Sequence, residues 1–183
     1  MIDGQTVLAV IPARAGSKRV PDKNLRHYRG KPLLQWAIDG AKASQYIDRT
    51  LVSTDSHQIE DLAIGLGAEI HRRPKWLSHD TAMNEGVLIH CLYTVEWAEW
   101  VVLLQPTSPL RTTADIDTCI ERAQLGKGCI TFNEYGKRNG AVYVTRSTEL
   151  IAHATFHPET FDQFLVMPNE RSLDIDYATD FDN

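Results

Sequence analysis

The run Val7, Leu8, Ala9, Val10 and Ile11, closed by Pro12, constrains this chain more than any other stretch. It shows no alternation of apolar and polar residues, so the strand it forms must be covered on both faces. Such strands belong in the middle of a mostly parallel sheet flanked by helices. The following segments keep that pattern. "GKPLLQWAIDGAKAS" puts Pro32 at a first helical position and Leu33, Leu34, Ala37, Ile38 and Ala41 on one helical face. "RTLVSTD" reads as a second strand, "SHQIEDLAIGLG" as a helix capped by Ser56 and stopped by Gly67, and "AEIHR" as a third strand. "DTAMNEGVLIHCLYTVE" reads as a helix, "WVVLLQ" as a strand, "TTADIDTCIERAQ" as a helix beginning near Thr113, and "GCITF" and "GAVYVT" as later strands. In the less periodic residues 153–170, "QFLVM" is a candidate edge strand, and "ELIAHATF" just before it a short helix. Strands alternating with helices predict an α/β fold that binds ligands at the carboxyl ends of its strands.

Neither a repeat nor a flexible linker divides the 183 residues, and one domain over residues 1–183 is expected. A formal net charge of −5 argues against a general nucleic-acid binder, which carries positive charge over a whole face. Cys91, Cys119 and Cys129 are odd in number and scattered, without a CxxC pair, which fits a reducing compartment. The first residues lack the basic start of a signal peptide, and no apolar run reaches membrane-spanning length. A cytoplasmic protein that touches no membrane is the expectation.

The loop "ARAGSKRVPDKNLR" gathers Arg14, Lys18, Arg19 and Lys23 around Gly16 and Ser17, directly after the first strand. In an α/β fold this is where backbone N–H groups and cationic side chains meet anions, and a polyphosphate suits that density of charge. The loop has neither the GxxxxGK[ST] nor the GxGxxG pattern, so it is not a Walker or dinucleotide loop. Near the other end, "RSLDIDYATDFDN" places Asp174 and Asp176 two residues apart, on the same side of an extended segment. Two hard oxygen donors beside phosphate suit Mg²⁺, which keeps waters and takes one or two carboxylates. Asp180 and Asp182 read as solvated surface.

The stretches "IPARAGSKRVPDKN", "STD" with "RRPKWLSHDTA", "LLQPTSPLR", "RNGAVYV" and "RSLDIDYATDF" occur in the order and style of the acylneuraminate cytidylyltransferases, the CMP-sialic acid synthetases. The chain resembles that family over nearly its whole length; CMP-Kdo synthetases and the pseudaminic acid branch are less similar. The resemblance implies a three-layer α/β/α Rossmann-like nucleotidyltransferase that joins CTP to a nonulosonic acid with Mg²⁺, giving a CMP-sugar and pyrophosphate. It implies phosphate and ribose contacts at Arg14, Ser17, Lys18, Lys23 and Asn24, and cytosine contacts at Arg73, the backbone around Ala82, and Asn84. Sugar contacts are implied at Gln105, Asn139, Tyr143 and Phe156, and the metal pair at Asp174 and Asp176. Arg14 and Lys18 would neutralise charge during in-line attack on the α-phosphorus, and no covalent nucleophile is needed. Lys137 stands where relatives often carry Arg.

The chain departs from the family between "GCITF" and "NGAVY". Relatives insert a few dozen residues there that help form a homodimer and reach the neighbouring site, whereas this chain has only "NEYGKR" around residues 132–138. Three functions follow: an active cytidylyltransferase, a catalytically impaired CTP-binding protein, or an enzyme for a smaller 2-keto acid such as Kdo. His153 and His157 have the i, i+4 spacing of a metal pair but no HExxH context, and read as surface. Trp36, Trp76, Trp97 and Trp100 read as core or interface, and Arg111 in "QPTSPLR" as structural.

Overall fold

The structure is a computed structural model that describes residues 2–95, 97–156 and 161–182. In chain order the elements are β1 (Val7–Pro12), a ribbon of β2 (His27–Tyr28) and β3 (Lys31–Pro32), α1 (Leu33–Ala43), β4 (Arg49–Thr54), α2 (His57–Gly65) and β5 (Glu69–Arg72). They continue with α3 (Asn84–Thr94), β6 (Trp100–Leu103), α4 (Thr113–Ala123), β7 (Gly128–Asn133), β8 (Arg138–Arg146), α5 (Ser147–His153) and β9 (Gln163–Met167). Pro32 turns out to precede α1 as its N-cap rather than open it. The face expected of that helix, from Leu33 to Ala41, is the buried one.

Seven strands form one sheet in the order β5-β4-β1-β6-β8-β7-β9. The apolar run of β1 lies inside it, parallel to β4 on one side and β6 on the other, with Val7 and Ala9 to Ile11 fully buried. One layer, α1, α2 and α4, covers Val7, Ala9 and Ile11 through residues such as Ile38, Ala63 and Ile116. The other, α3 and α5, covers Leu8 and Val10 through Val87, Leu88 and Leu150. The chain leaves β1 toward β4 and β5, and β6 lies on the opposite side. That reversal opens a crevice at the carboxyl ends of β1 and β6.

The sheet is mixed. β8 is antiparallel to both β6 and β7, and β9 is the expected edge strand, parallel to β7. Trp100 is buried, whereas Trp76 is 62% and Trp97 45% exposed, so of the core-or-interface expectation the core half holds for Trp100 and not for those two. No helix among the described residues is long and apolar enough to cross a membrane.

The β7–β8 connection is a closed turn with its own side-chain support. Asn133 N–H donates to the Lys137 carbonyl (2.8 Å), and the Asn133 Oδ1 accepts from the N–H groups of Tyr135 (3.1 Å) and Lys137 (2.9 Å). Gly136, at φ 74°, supplies the left-handed residue such a turn requires. The pairing register of β7 and β8 shifts between Ile130 and Phe132, and Gly140 has φ 73°. Residues 138 and 143 would face opposite sides of a regular strand. With this irregularity they meet on one side.

The C-terminal segment is fastened to the start of α4. Thr112 and Asp115 form a capping box, and Arg171 grips the same carboxylate through Nε (3.0 Å) and Nη2 (2.8 Å). Burial alone would raise the Asp115 carboxyl, but hydrogen bonds from Arg171 and Thr112 outweigh it and hold it below the usual range. A depressed carboxyl stabilises the fold above its unfolded pKa of about 3.9 and loses that contribution as pH falls through the folded value. Asp115→Ala should cost about 1–2 kcal/mol at neutral pH, as loss of a helix cap does, and Asp115→Asn should flatten the acid limb. Denaturant unfolding across pH 2–7 measures both effects.

Candidate functional site

After Pro12 the chain continues the sheet for one more residue, Ala13 N–H donating to the Ser53 carbonyl (2.9 Å), and then turns into the basic loop. The loop is braced from beneath. Ala15 N–H donates to Asp55 Oδ1 (2.8 Å), the Asn24 amide donates to the Arg14 carbonyl (3.1 Å), and Val20 is buried. The braces leave the cations on the open side. Arg14, Ser17, Lys18, Arg19 and Lys23 line a cavity of about 330 Å³ together with Asp80 and Asp176. Asp80 bridges Arg14 (2.6 Å) and Lys18, and these two partners, Lys18 foremost, hold its carboxyl below the usual range.

The two charged ends of the sequence meet in this cavity. Asp176 accepts from Arg19 (2.9 Å) and from Lys23 (3.3 Å), and the Lys23 ammonium also donates to the Ile175 carbonyl (2.9 Å). Ile175 is fully buried against Tyr28 and Leu33, and its N–H donates to the Thr107 carbonyl (2.8 Å) beyond β6. An inward isoleucine between two outward aspartates is the alternation expected of an extended segment. Asp174 is exposed at its surface, yet enough protein surrounds it that lost hydration raises its carboxyl. The Asp176 and Asp180 charges add to this, while Thr107 and Lys23 oppose it. Among the described residues no group of three His, Cys, Asp or Glu gathers as a metal site; the carboxylates stand as a pair. Asp180, expected at the surface, instead caps the turn, its Oδ2 accepting from the N–H groups of Asp176 (2.8 Å) and Tyr177 (2.7 Å).

A second cavity has a volume of about 370 Å³. Its walls include Ala82, Asn84 and Glu85 at the start of α3, Gln105 beyond β6, Arg138 and Tyr143 from β8, and Phe156. The Tyr143 and Phe156 rings lie 5.2 Å apart. Phe156 is pinned by its backbone, its N–H donating to Glu85 Oε1 and its carbonyl accepting from Arg138 Nη1, each at 2.9 Å. Burial pushes the Tyr143 phenol up, Arg138 opposes the shift, and the charges of Asp174 and Glu85 add to it. Asp174 thus acts on Tyr143 in one cavity while its neighbour Asp176 lines the other.

Three sequence-predicted contacts are placed differently from the rest. Arg73 is buried, and its guanidinium donates to Ser53 Oγ (3.2 Å) and the Ser53 carbonyl (3.0 Å) beneath the loop, where burial lowers its pKa. Asn139 is also buried, accepting from Thr131 Oγ1 (2.6 Å) and donating to Ser172 Oγ (3.1 Å). Neither lines either cavity. Asn24 faces inward and acts through the Arg14 carbonyl. Lys137 is exposed on the turn. Arg111 is structural as expected, spanning the Gln105 (2.6 Å) and Ala141 (3.1 Å) carbonyls, with burial lowering its pKa to about 9. His153 is a surface residue beside Glu149, and His157 lies outside the described residues.

Sequence reasoning missed Asp80, Glu85 and Arg138 as cavity residues. Asp80 could have been suspected as the acid nearest the "RRPKWLSH" cations. Arg138 could not, because the irregularity in β8 has no simple signature.

Ile175→Ala should cost about 2–5 kcal/mol, the usual range for a buried isoleucine, and unseat both flanking carboxylates. Denaturant unfolding together with hydrogen exchange over residues 172–177 measures this; an unchanged exchange rate would contradict the anchoring role.

Residues 8–151 match the cytidylyltransferase family. The chain is 31% identical to the CMP-N,N'-diacetyllegionaminic acid synthase of Legionella pneumophila over 219 residues, covering 96% of this chain and 93% of that protein. That span exceeds the 183 residues present here, so several dozen of the relative's residues face gaps in this chain. The chain is 27% identical to the N-acylneuraminate cytidylyltransferase of Escherichia coli, with 96% of this chain covered but only about half (50%) of that longer protein. A CMP:2-keto-3-deoxy-manno-octonic acid synthetase complexed with CTP shares the fold, with a TM-score of 0.75 at 16% identity over 95% of this chain and 94% of that one. Given a match across most of its length and a relative covered almost from end to end, the chain belongs to the cytidylyltransferase family of nucleotidyltransferases.

Proposed function

We propose that this chain transfers CMP from CTP to the anomeric hydroxyl of a nonulosonic acid and releases pyrophosphate. The observation that carries this reading is the junction of Lys23 and Arg19 with Asp176, which brings one member of the aspartate pair into the cavity lined by the phosphate-type loop. The names of the relatives, which act on legionaminic and neuraminic acids, support the acceptor class.

In this reading the triphosphate replaces Asp80 and Asp176 as the partner of Arg14, Lys18, Arg19 and Lys23, and the Ser17 hydroxyl donates to it. Asn84, which both donates and accepts, suits the hydrogen-bonding edge of cytosine beside the Ala82 backbone. Arg73 and Asn24 support this region from below. Tyr143, Phe156 and Gln105 shape the place of the sugar, and Asn139 holds that wall by fastening β8 to Thr131 and Ser172. The acceptor oxygen forms a bond to the α-phosphorus as the bond to pyrophosphate breaks, and the hydroxyl proton is lost. Alignment and charge neutralisation supply the acceleration.

Asp174 and Asp176 fit Mg²⁺: they offer two hard oxygen ligands on one side of an extended segment, next to the phosphate cavity. Their mutual repulsion is of the kind a divalent cation relieves. The ion, when bound, would neutralise charge on the phosphate oxygens. We read residues 1–183 as one nucleotidyltransferase domain in which the turn at Asn133 stands in place of the family's longer excursion.

Pyrophosphate release from CTP and Mg²⁺ with a panel of 2-keto sugar acids, Kdo included, tests the proposal. Turnover with a nonulosonic acid is expected, and tight CTP binding without turnover by any acid would reject it. Lys18→Ala should lower kcat/KM about 100-fold, the scale of a lost transition-state donor. Unchanged kinetics would remove Lys18 from the phosphate site.

A further inference from the structure

We propose that Arg138 of this same chain binds the carboxylate of the acidic sugar, so that the site needs no cation from a second copy. The inference rests on the transferase reading above, which supplies an acceptor bearing a carboxylate. Such a group must meet a positive partner when it leaves water for the cavity. Arg138 is the one cationic side chain among the described residues lining the second cavity.

Its placement is fixed by the fold. Arg138 is the first residue of β8, immediately after the Asn133 turn, and pairs with Phe132 across the register shift. The left-handed Gly140 lets Arg138 share a wall with Tyr143. A Cβ at Gly140 would also come within 3.3 Å of the Gln105 side chain, so the conformation at this glycine shapes two parts of the wall. One guanidinium N–H is spent on the Phe156 carbonyl, which orients the group. A guanidinium has five donors in a planar fork, so the remaining edge can take a carboxylate in two parallel hydrogen bonds.

The opposite pole is equally defined. Glu85, buried and bound to the Phe156 N–H, puts negative charge on the far side of the same backbone segment. An acid entering between them is repelled by Glu85 and drawn to Arg138. This sets which way the sugar points and disfavours uncharged sugars.

The test uses the full chain with CTP, a nonulosonic acid and the 1-carboxamide of that acid. In wild type the acid should be strongly preferred over the carboxamide. Arg138→Gln should raise KM for the acid about 10- to 100-fold, as expected for one charge-assisted contact, leave KM for CTP within about twofold, and abolish the preference. Arg138→Lys should restore part of it. A variant with unchanged acid KM and an intact acid-to-amide preference would overturn the assignment. Mixing R138Q with K18A separates the two possible origins of the cation. Contribution within one chain predicts no recovered activity, whereas recovery would show that Arg138 acts across a pair of chains and would overturn the proposal. If wild type turns over none of the acids, it is the transferase reading that falls.

Discussion

The tie between the Lys23 ammonium and the segment carrying Ile175 and Asp176 is the constraint on which the site depends. It joins residues 152 and 153 positions apart in the chain. Only 14% of the Lys23 side chain is exposed, so this charge has lost most of its water and needs both a carbonyl and a carboxylate as partners. Without the tie, four cations would crowd one loop and two carboxylates would repel each other at the chain's end. With it, charges of opposite sign alternate around a single cavity.

The sheet supplies the other half of the design. β1 and β6 point their carboxyl ends to the same side, and the loops leaving them carry the cations and the Thr107 carbonyl that anchors Ile175. The antiparallel β8 enters from the opposite direction, so its first residues, rather than its last, reach that side. This is how Arg138 and Tyr143 come to line the second cavity although the strand runs against its neighbour.

Much of this was legible in the sequence because it rests on local rules. The unbroken apolar run of β1, which has no period, and the buried face of α1 and the Asp-Ile-Asp alternation, which do, each tell which side chains must be covered, and each holds. The basic loop was legible through charge density, and the family through the order of its motifs. What was not legible depends on partners distant in sequence. Arg73 and Asn139 look like ligand contacts by motif, but Ser53 and Thr131 engage them below the cavities. Asp180 looks like a solvated tail residue until the turn it caps is seen. Arg138 falls on the wrong side by simple alternation, and only the local switch at Gly140 turns it to the cavity. The exposed Trp76 packs edge-on against His90 (5.5 Å between ring centroids), a contact that hydrophobicity alone does not foretell.

Asp80 gives the basic loop an internal anionic partner. Because this carboxylate is tethered, it competes at an effective molarity that for short flexible connections reaches about the millimolar range. In the proposed reading an orthophosphate would gain little from cations that Asp80 already partners. In the same reading a triphosphate would meet the partners of Asp80 and of Asp176 together, and so would replace two carboxylates in a single event. In that reading the carboxylates paired with the loop's cations would weigh against a short phosphate more than against a long one.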